Sequence, residues 1–207
     1  MTLEVLDLNN KIIKTVDDDV FCISRIRYDL IHKLVVWQRS KNRRAISHKK
    51  EISDVRGSTR KIYKQKGTGR ARHGSIRGAQ FVGGGIIFGP TKDRKYTYKI
   101  NKKVKKIALI NALALKYKEK SISVYEQLKV EDNKSRSFLS KHISNFSLKK
   151  VLLVDTVFDT NLVLSVRNFN NFNRLKVVGL NVLDIMKHSR IYFSEQAFNY
   201  IRDKIKL

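Results

Sequence analysis

The sequence predicts an α/β fold: a three-layer α/β/α domain around a mainly parallel sheet, with a long basic loop extension inserted after the first helix. Three observations predict it. Strand-like and helix-like apolar patterns alternate from residue 101 to the C-terminus, which is the signature of a parallel sheet covered on both faces. A hairpin pattern and one amphipathic helix precede them. Between the two parts, apolar periodicity fails over about sixty residues, too long a gap for an ordinary loop in a compact domain.

Residues 2–16 read as a strand, a turn at Asn9-Asn10 and a second strand. Asp17 to Asp19 are expected to cap the helix that follows; three aspartates also suggest a cation site, but favourable charge at a helix N-terminus accounts for them. From about Val20 to Ser40, Ile23, Ile26, Leu30, Ile31, Leu34 and Val35 form a helical stripe. Asn101 is placed to cap a helix over 102–118, whose second half, IALINALALKY, is apolar on most faces and expected to be buried. Then follow a strand at Ile122–Tyr125, a helix at Ser135–Phe146, a continuous apolar strand at Val151–Val154 and a helix at Thr160–Val166. A strand at Leu175–Leu180, a short helix at Val182–Met186, a strand at Ile191–Phe193 and a final helix capped by Ser194 complete the chain. The domain is therefore expected to comprise residues 1–40 and 100–207, with 41–99 as the extension.

Charge singles out that extension. The 207-residue chain carries a formal net charge of +26. Residues 39–106 hold 22 Lys and Arg against 3 Asp and Glu, so a third of the chain carries most of the excess. Such a charge costs self-repulsion and contributes nothing to a fold, but it suits a polyanionic partner. No apolar run of about 18 residues indicates a transmembrane helix, so a membrane is not the expected partner. The acidic, alternating start lacks the form of a secretory signal. One cysteine, Cys22, gives neither a disulfide framework nor a cysteine metal site. A cytoplasmic protein is expected, with no metal, cofactor or small-molecule substrate.

Nine of the ten glycines lie between Gly57 and Gly89, and the sole proline, Pro90, closes the stretch. Gly67, Gly69 and Gly74 miss the dinucleotide-binding spacing and have no strand before them. Gly84 and Gly89 have a phosphate-loop separation, but Pro90 stands where the lysine must be. His73 beside Lys66, Arg70 and Arg72 suggests acid–base chemistry on a phosphodiester. Catalysis, however, needs a rigid supporting shell that a glycine-rich extension lacks. RNA binding uses every feature. Arg70, Arg72 and Arg77 can fork onto phosphates. Glycines let the backbone approach RNA closely. Tyr63, Phe81, Phe88, Tyr96 and Tyr98 are interspersed for stacking on unpaired bases, although Phe81 and Phe88 equally suit packing against protein. Two limbs of about twenty residues, at roughly 3.3 Å each, give a reach of about 65 Å.

The segment YKQKGTGRARHGSIRGAQFVGGGIIFGP, followed by NKKVKKIALINALALKYKE, resembles the bacterial large-subunit ribosomal protein L four (uL four) family. The resemblance extends to the layout of most of the chain, and its specific part is QKGTGRAR with GSIR behind it. It implies a structural constituent of the large ribosomal subunit that binds 23S-type rRNA early in assembly. It also implies a loop reaching the wall of the nascent-peptide exit tunnel, beside ribosomal protein L twenty-two. By motif, Gln65, Lys66, Gly67, Thr68 and Gly69 would form the loop tip, passed by the nascent polypeptide. The expected rRNA contacts are Arg43, Arg44, Lys49, Lys50, Arg56, Arg60, Lys61, Tyr63, Lys64, Arg70, Arg72, His73 and Arg77, then Lys92, Arg94, Lys95, Lys99, Lys102 and Lys103. Tyr63 departs from the family, which often has tryptophan there, and no role is carried over for Gln80 or Phe81. A free RNA- or DNA-binding regulator, for example a repressor of its own messenger, and an RNA-processing enzyme are the alternative readings. A bacterial, cytoplasmic member is expected, since the N-terminus lacks the Arg- and Ser-rich, acid-poor form of an organelle transit peptide; an organellar member is the alternative.

Overall fold

The computed structural model describes residues 2–7, 11–17, 23, 25–128 and 150–206. The chain divides into two compact units, one of residues 1–38 with 99–207 and one of residues 39–98.

The first unit is built on a six-stranded sheet. Its strands are β1 (Thr2–Leu6), β2 (Ile12–Asp17), β3 (Ile122–Tyr125), β4 (Val151–Asp155), β5 (Phe172–Lys176) and β6 (Arg190–Ser194), in the order β2-β1-β3-β6-β4-β5. Among the described residues only β1 and β2 pair antiparallel; every other pairing is parallel. The helices are α1 (Tyr28–Asn42), α2 (Lys102–Lys118), α3 (Thr160–Val166), α4 (Val182–Lys187) and α5 (Glu195–Lys206). α1 runs past residue 38, so its last turn belongs to the second unit.

The two-residue period of a strand sorts side chains between two cores. In β4, Leu152 and Val154 join a large cluster with Leu34, Leu113, Ile185 and Phe198 of the helices. Val151 and Leu153 join a smaller one with Leu162 and Val166 of α3. Both faces of β4 are therefore apolar and all five of its residues are buried, as a central parallel strand requires. Each such Val or Leu side chain contributes about 1.5–3 kcal/mol by leaving water. These two clusters draw their residues from 3–37 and 100–205.

Polar side chains fix the ends of elements. Asn111 of α2, buried among apolar neighbours, accepts the Arg27 N–H at 2.8 Å and returns its amide to the Ile107 carbonyl. Gln38 accepts the Leu183 N–H at the start of α4, and the Asn181 side chain caps the same helix through the Asp184 N–H. Ser194 accepts the Ala197 N–H as the cap of α5 while donating to Asp155 at 2.6 Å. α2 ends with Lys120 at φ 50°, its N–H on the Tyr117 carbonyl and that of Ser121 on Lys116, a helix stop made without glycine.

Several expectations are corrected. α1 begins at Tyr28, not near Val20: Arg25 to Arg27 are not helical, and Ile26 packs on the core from an irregular lead-in held by Asn111. Asp17 is the last residue of β2; Asp18 and Asp19 lie outside the described residues, as do the Asn9-Asn10 turn and the helix expected at Ser135–Phe146. The strand expected at Leu175–Leu180 lies at Phe172–Lys176, and a 3₁₀ turn at Val177–Gly179 follows it. Asn101 occupies the N-cap of α2, but its side chain makes no capping bond.

Candidate nucleic-acid interface

Residues 39–98 carry 17 Lys and Arg against three Asp and Glu, so most of the cations have no carboxylate partner within the unit. Lys49 pairs with Glu51 at 3.3 Å. From Arg43 to Tyr98 no helix or strand forms, and among residues 39–98 only Gly78 and Gly85 are buried. The unit has no apolar core. Ile46, Val82, Ile87 and Phe88 are exposed, Phe88 to 98%.

Backbone pairing between an outgoing and a returning limb gives the unit its form. The Lys49 N–H donates to the Pro90 carbonyl at 2.8 Å and Ile86 to Lys50 at 2.9 Å; within the returning limb Gly85 donates to Arg77 at 2.9 Å. The Arg77 guanidinium, half-buried, donates to the Val55 carbonyl at 3.0 Å. These approaches leave no room for side chains: a Cβ on Gly85 would stand 2.6 Å from the Ile52 nitrogen of the outgoing limb, and one on Gly84 2.0 Å from the Gly78 carbonyl oxygen of its own limb. At the far turn Gly67 has φ +80°, a conformation that favours glycine.

Aromatic side chains are held among the charges. The Arg43 guanidinium lies 4.1 Å from the Tyr96 ring centroid and that of Arg94 lies 5.3 Å away. His73 packs edge-on to Phe81 at 4.9 Å and to Tyr63 at 6.1 Å, with Gln80 Nε2 at 3.4 Å from its Nδ1. The Tyr63 hydroxyl donates to the Ala71 carbonyl, and Lys61 donates to Gln65 across one turn. Among the described residues no His, Cys, Asp and Glu side chains gather into a metal-binding group. No described helix is long and apolar enough to cross a membrane.

The sequence-derived residues therefore divide. Arg43, Arg44, Lys50, Arg56, Arg60, Lys61, Lys64, Arg70, Arg72, Lys92, Arg94 and Lys95 are exposed cations of the second unit, and Gln65 to Gly69 are an exposed turn there. Lys49, Tyr63, His73 and Arg77 are half-buried, and each also serves the unit's internal contacts. Lys99, Lys102 and Lys103 are exposed residues of the first unit. The limb pairing, and Tyr96 as the shared ring of two arginines, were not legible in the sequence because neither has a periodic signal.

The family model for the ribosomal protein L4/L1 family matches residues 14–204. The chain belongs to that family. Among its relatives is the large ribosomal subunit protein uL4 of Ehrlichia canis (strain Jake), 40% identical over 99% of this chain and 100% of the relative. The uL4 proteins of Rickettsia bellii (strain OSU 85-389), 37% identical over the full length of both chains, and of Wolbachia sp. subsp. Brugia malayi (strain TRS), 38% identical over 99% of this chain and 100% of the relative, are similar to it throughout. The match spans both units, so the extension and the α/β body are family features together.

Proposed function

We propose that this chain is a structural constituent of the bacterial large ribosomal subunit, in the cytoplasm, and that residues 39–98 hold large-subunit rRNA from an early stage of assembly. The observation that carries the reading is a coreless, glycine-rich unit with 17 cations and three carboxylates, in a chain related end to end to uL4 proteins.

The chemistry follows from the geometry. Exposed lysines and arginines replace the counterions condensed on phosphates, and the entropy of counterion release drives binding. Arg70 and Arg72 present planar forks to phosphate oxygens. Arg77, committed to Val55, braces the limbs. Tyr96 keeps Arg43 and Arg94 spread on one ring and so presents two guanidiniums together. Lys102 and Lys103, at the start of α2, and Lys99 just before it extend the cationic surface of the body. The Gln65–Gly69 turn carries Lys66 and Thr68 toward the tunnel wall, where ribosomal protein L twenty-two and the nascent chain are its neighbours. No cofactor is needed, because binding and positioning are the whole task.

If about ten phosphates are contacted, affinity for rRNA falls by roughly three to five powers of ten between 50 and 200 mM salt. The reading is tested by sedimenting cell extracts in moderate salt. The chain is expected with large subunits in a one-to-one ratio. A chain found wholly apart from ribosomes, footprinting a short operator or transcript instead, overturns the proposal in favour of a free regulator.

A further inference from the structure

On the first unit a groove of about 360 Å³ opens among α1, α2, the 3₁₀ turn, α4 and α5. Its floor is aliphatic, with Leu34, Leu109, Val182 and Ile201. Val178 at its edge is 72% exposed and Tyr200 is 43% exposed. The rim carries Lys105, Lys106 and Lys204, and no Asp, Glu or Arg among the described residues lines it.

These features choose between classes of occupant. A nucleic-acid base stacks on an open aromatic face. Here the Lys105 ammonium stands 4.0 Å above the Trp37 ring and Lys204 lies 5.8 Å from the Tyr200 centroid, so both rings are occupied by cations. Without arginine the rim also lacks the forks that grip phosphates in pairs. What remains is an alkyl-lined trough inside a ring of positive charge. Its complement is an apolar side chain flanked by carboxylates.

We propose that this groove docks a short amphipathic segment of a partner protein, with apolar anchors at helical spacing and acidic residues on either side. The anchors enter between Leu34 and Ile201, and the carboxylates meet Lys105, Lys106 and Lys204. The mode is that of an amphipathic helix laid in a groove, and the volume suits a few side chains rather than a whole domain. The proposal stands apart from the ribosomal reading, since it uses none of the residues assigned to rRNA.

Trp37 is the only tryptophan in the chain, so the groove carries its own reporter. The full-length protein would be titrated with a labelled synthetic peptide of about twelve residues, leucines at helical spacing and glutamates between. Tryptophan emission and peptide anisotropy would be followed together. The expected result is a saturable change in both that persists in 0.3 M salt. It should weaken at least tenfold in Val178→Asp and several-fold in Lys204→Glu; both positions are open enough to accept the change. Polyglutamate of equal length and an RNA duplex are the comparison probes. The proposal is overturned if neither signal changes, if Val178→Asp binds as well as the parent, or if polyglutamate or RNA gives the same salt-resistant change.

Discussion

Substituting Gly84 by alanine tests the tight turn over residues 77–85 in the returning limb of the extension. A Cβ there would meet the Gly78 carbonyl oxygen at 2.0 Å and its carbon at 2.8 Å, where an ordinary contact begins at 3.4 Å. Both obstacles are backbone of the same returning limb, so the turn over 77–85 must open by more than an ångström. Three hydrogen bonds depend on that approach: Gly84 to Phe81 at 3.0 Å, Gly85 to Arg77 at 2.9 Å and Ile86 to Lys50 at 2.9 Å. At about 0.5–1 kcal/mol each in so open a setting, their loss amounts to roughly 1.5–3 kcal/mol of local stability. Since 1.4 kcal/mol is tenfold in an equilibrium, amide exchange at Gly85 and Ile86 should accelerate about 10- to 100-fold. The unfolding temperature of the α/β body should not move. Gly67→Ala is the control, because nothing lies within 4 Å of its Cβ and only the local φ of +80° is strained. If Gly84→Ala leaves both amides unchanged, or if they exchange without protection in the parent protein, the turn over 77–85 and the pairing it presents to Lys50 are wrong.

Three further outcomes follow from the same structure. Deleting residues 61–88 should leave a cooperatively folding α/β body by circular dichroism, because the two apolar clusters are built from residues 3–37 and 100–205; loss of the helical signal would refute the division into units. Ser194→Ala removes the cap of α5 and a donor to the buried Asp155 carboxylate, a loss of about 2–3 kcal/mol that calorimetry should read as a fall of roughly 5–10 °C. Burial, with Tyr192 beside it, holds the Tyr125 hydroxyl well above the ordinary phenol value of 10. The unfolded chain therefore ionises first, so this contribution to stability is complete below pH 10 and declines as pH rises above it. Tyr125→Phe should flatten the alkaline limb of the stability curve, and an unchanged slope would show that Tyr125 is not its source.

Sequence periodicity found those elements in which one pattern served one structure. β4 is an unbroken apolar run because both its faces are covered, and α2 ends within a residue of where its apolar stripe stops. The errors arose where burial outlasts regular structure. Ile26 lies on the helical stripe yet packs from outside the helix, so α1 was drawn too early. Leu175, Val177 and Leu180 all face the large cluster, but from a strand, a 3₁₀ turn and the residue after it, so β5 was displaced toward the C-terminus. In the extension, charge and glycine disclosed the kind of partner without disclosing form. The hydrogen bonds from Lys49 to Pro90 and from Ile86 to Lys50 join residues about forty positions apart with no apolar pattern between them. Arg77 shows the consequence: the sequence suggests a phosphate ligand, and the structure adds a bond to the Val55 carbonyl that braces the two limbs.

The central claim is that the basic extension lies against rRNA within the large subunit. Ultraviolet crosslinking of purified subunits, read by mass spectrometry at Lys66 and Arg70, tests it most directly. Crosslinks from both residues to large-subunit rRNA are expected, with stronger yield from residues 39–98 than from the α/β body. Subunits that contain the chain but give crosslinks from the body alone would contradict it.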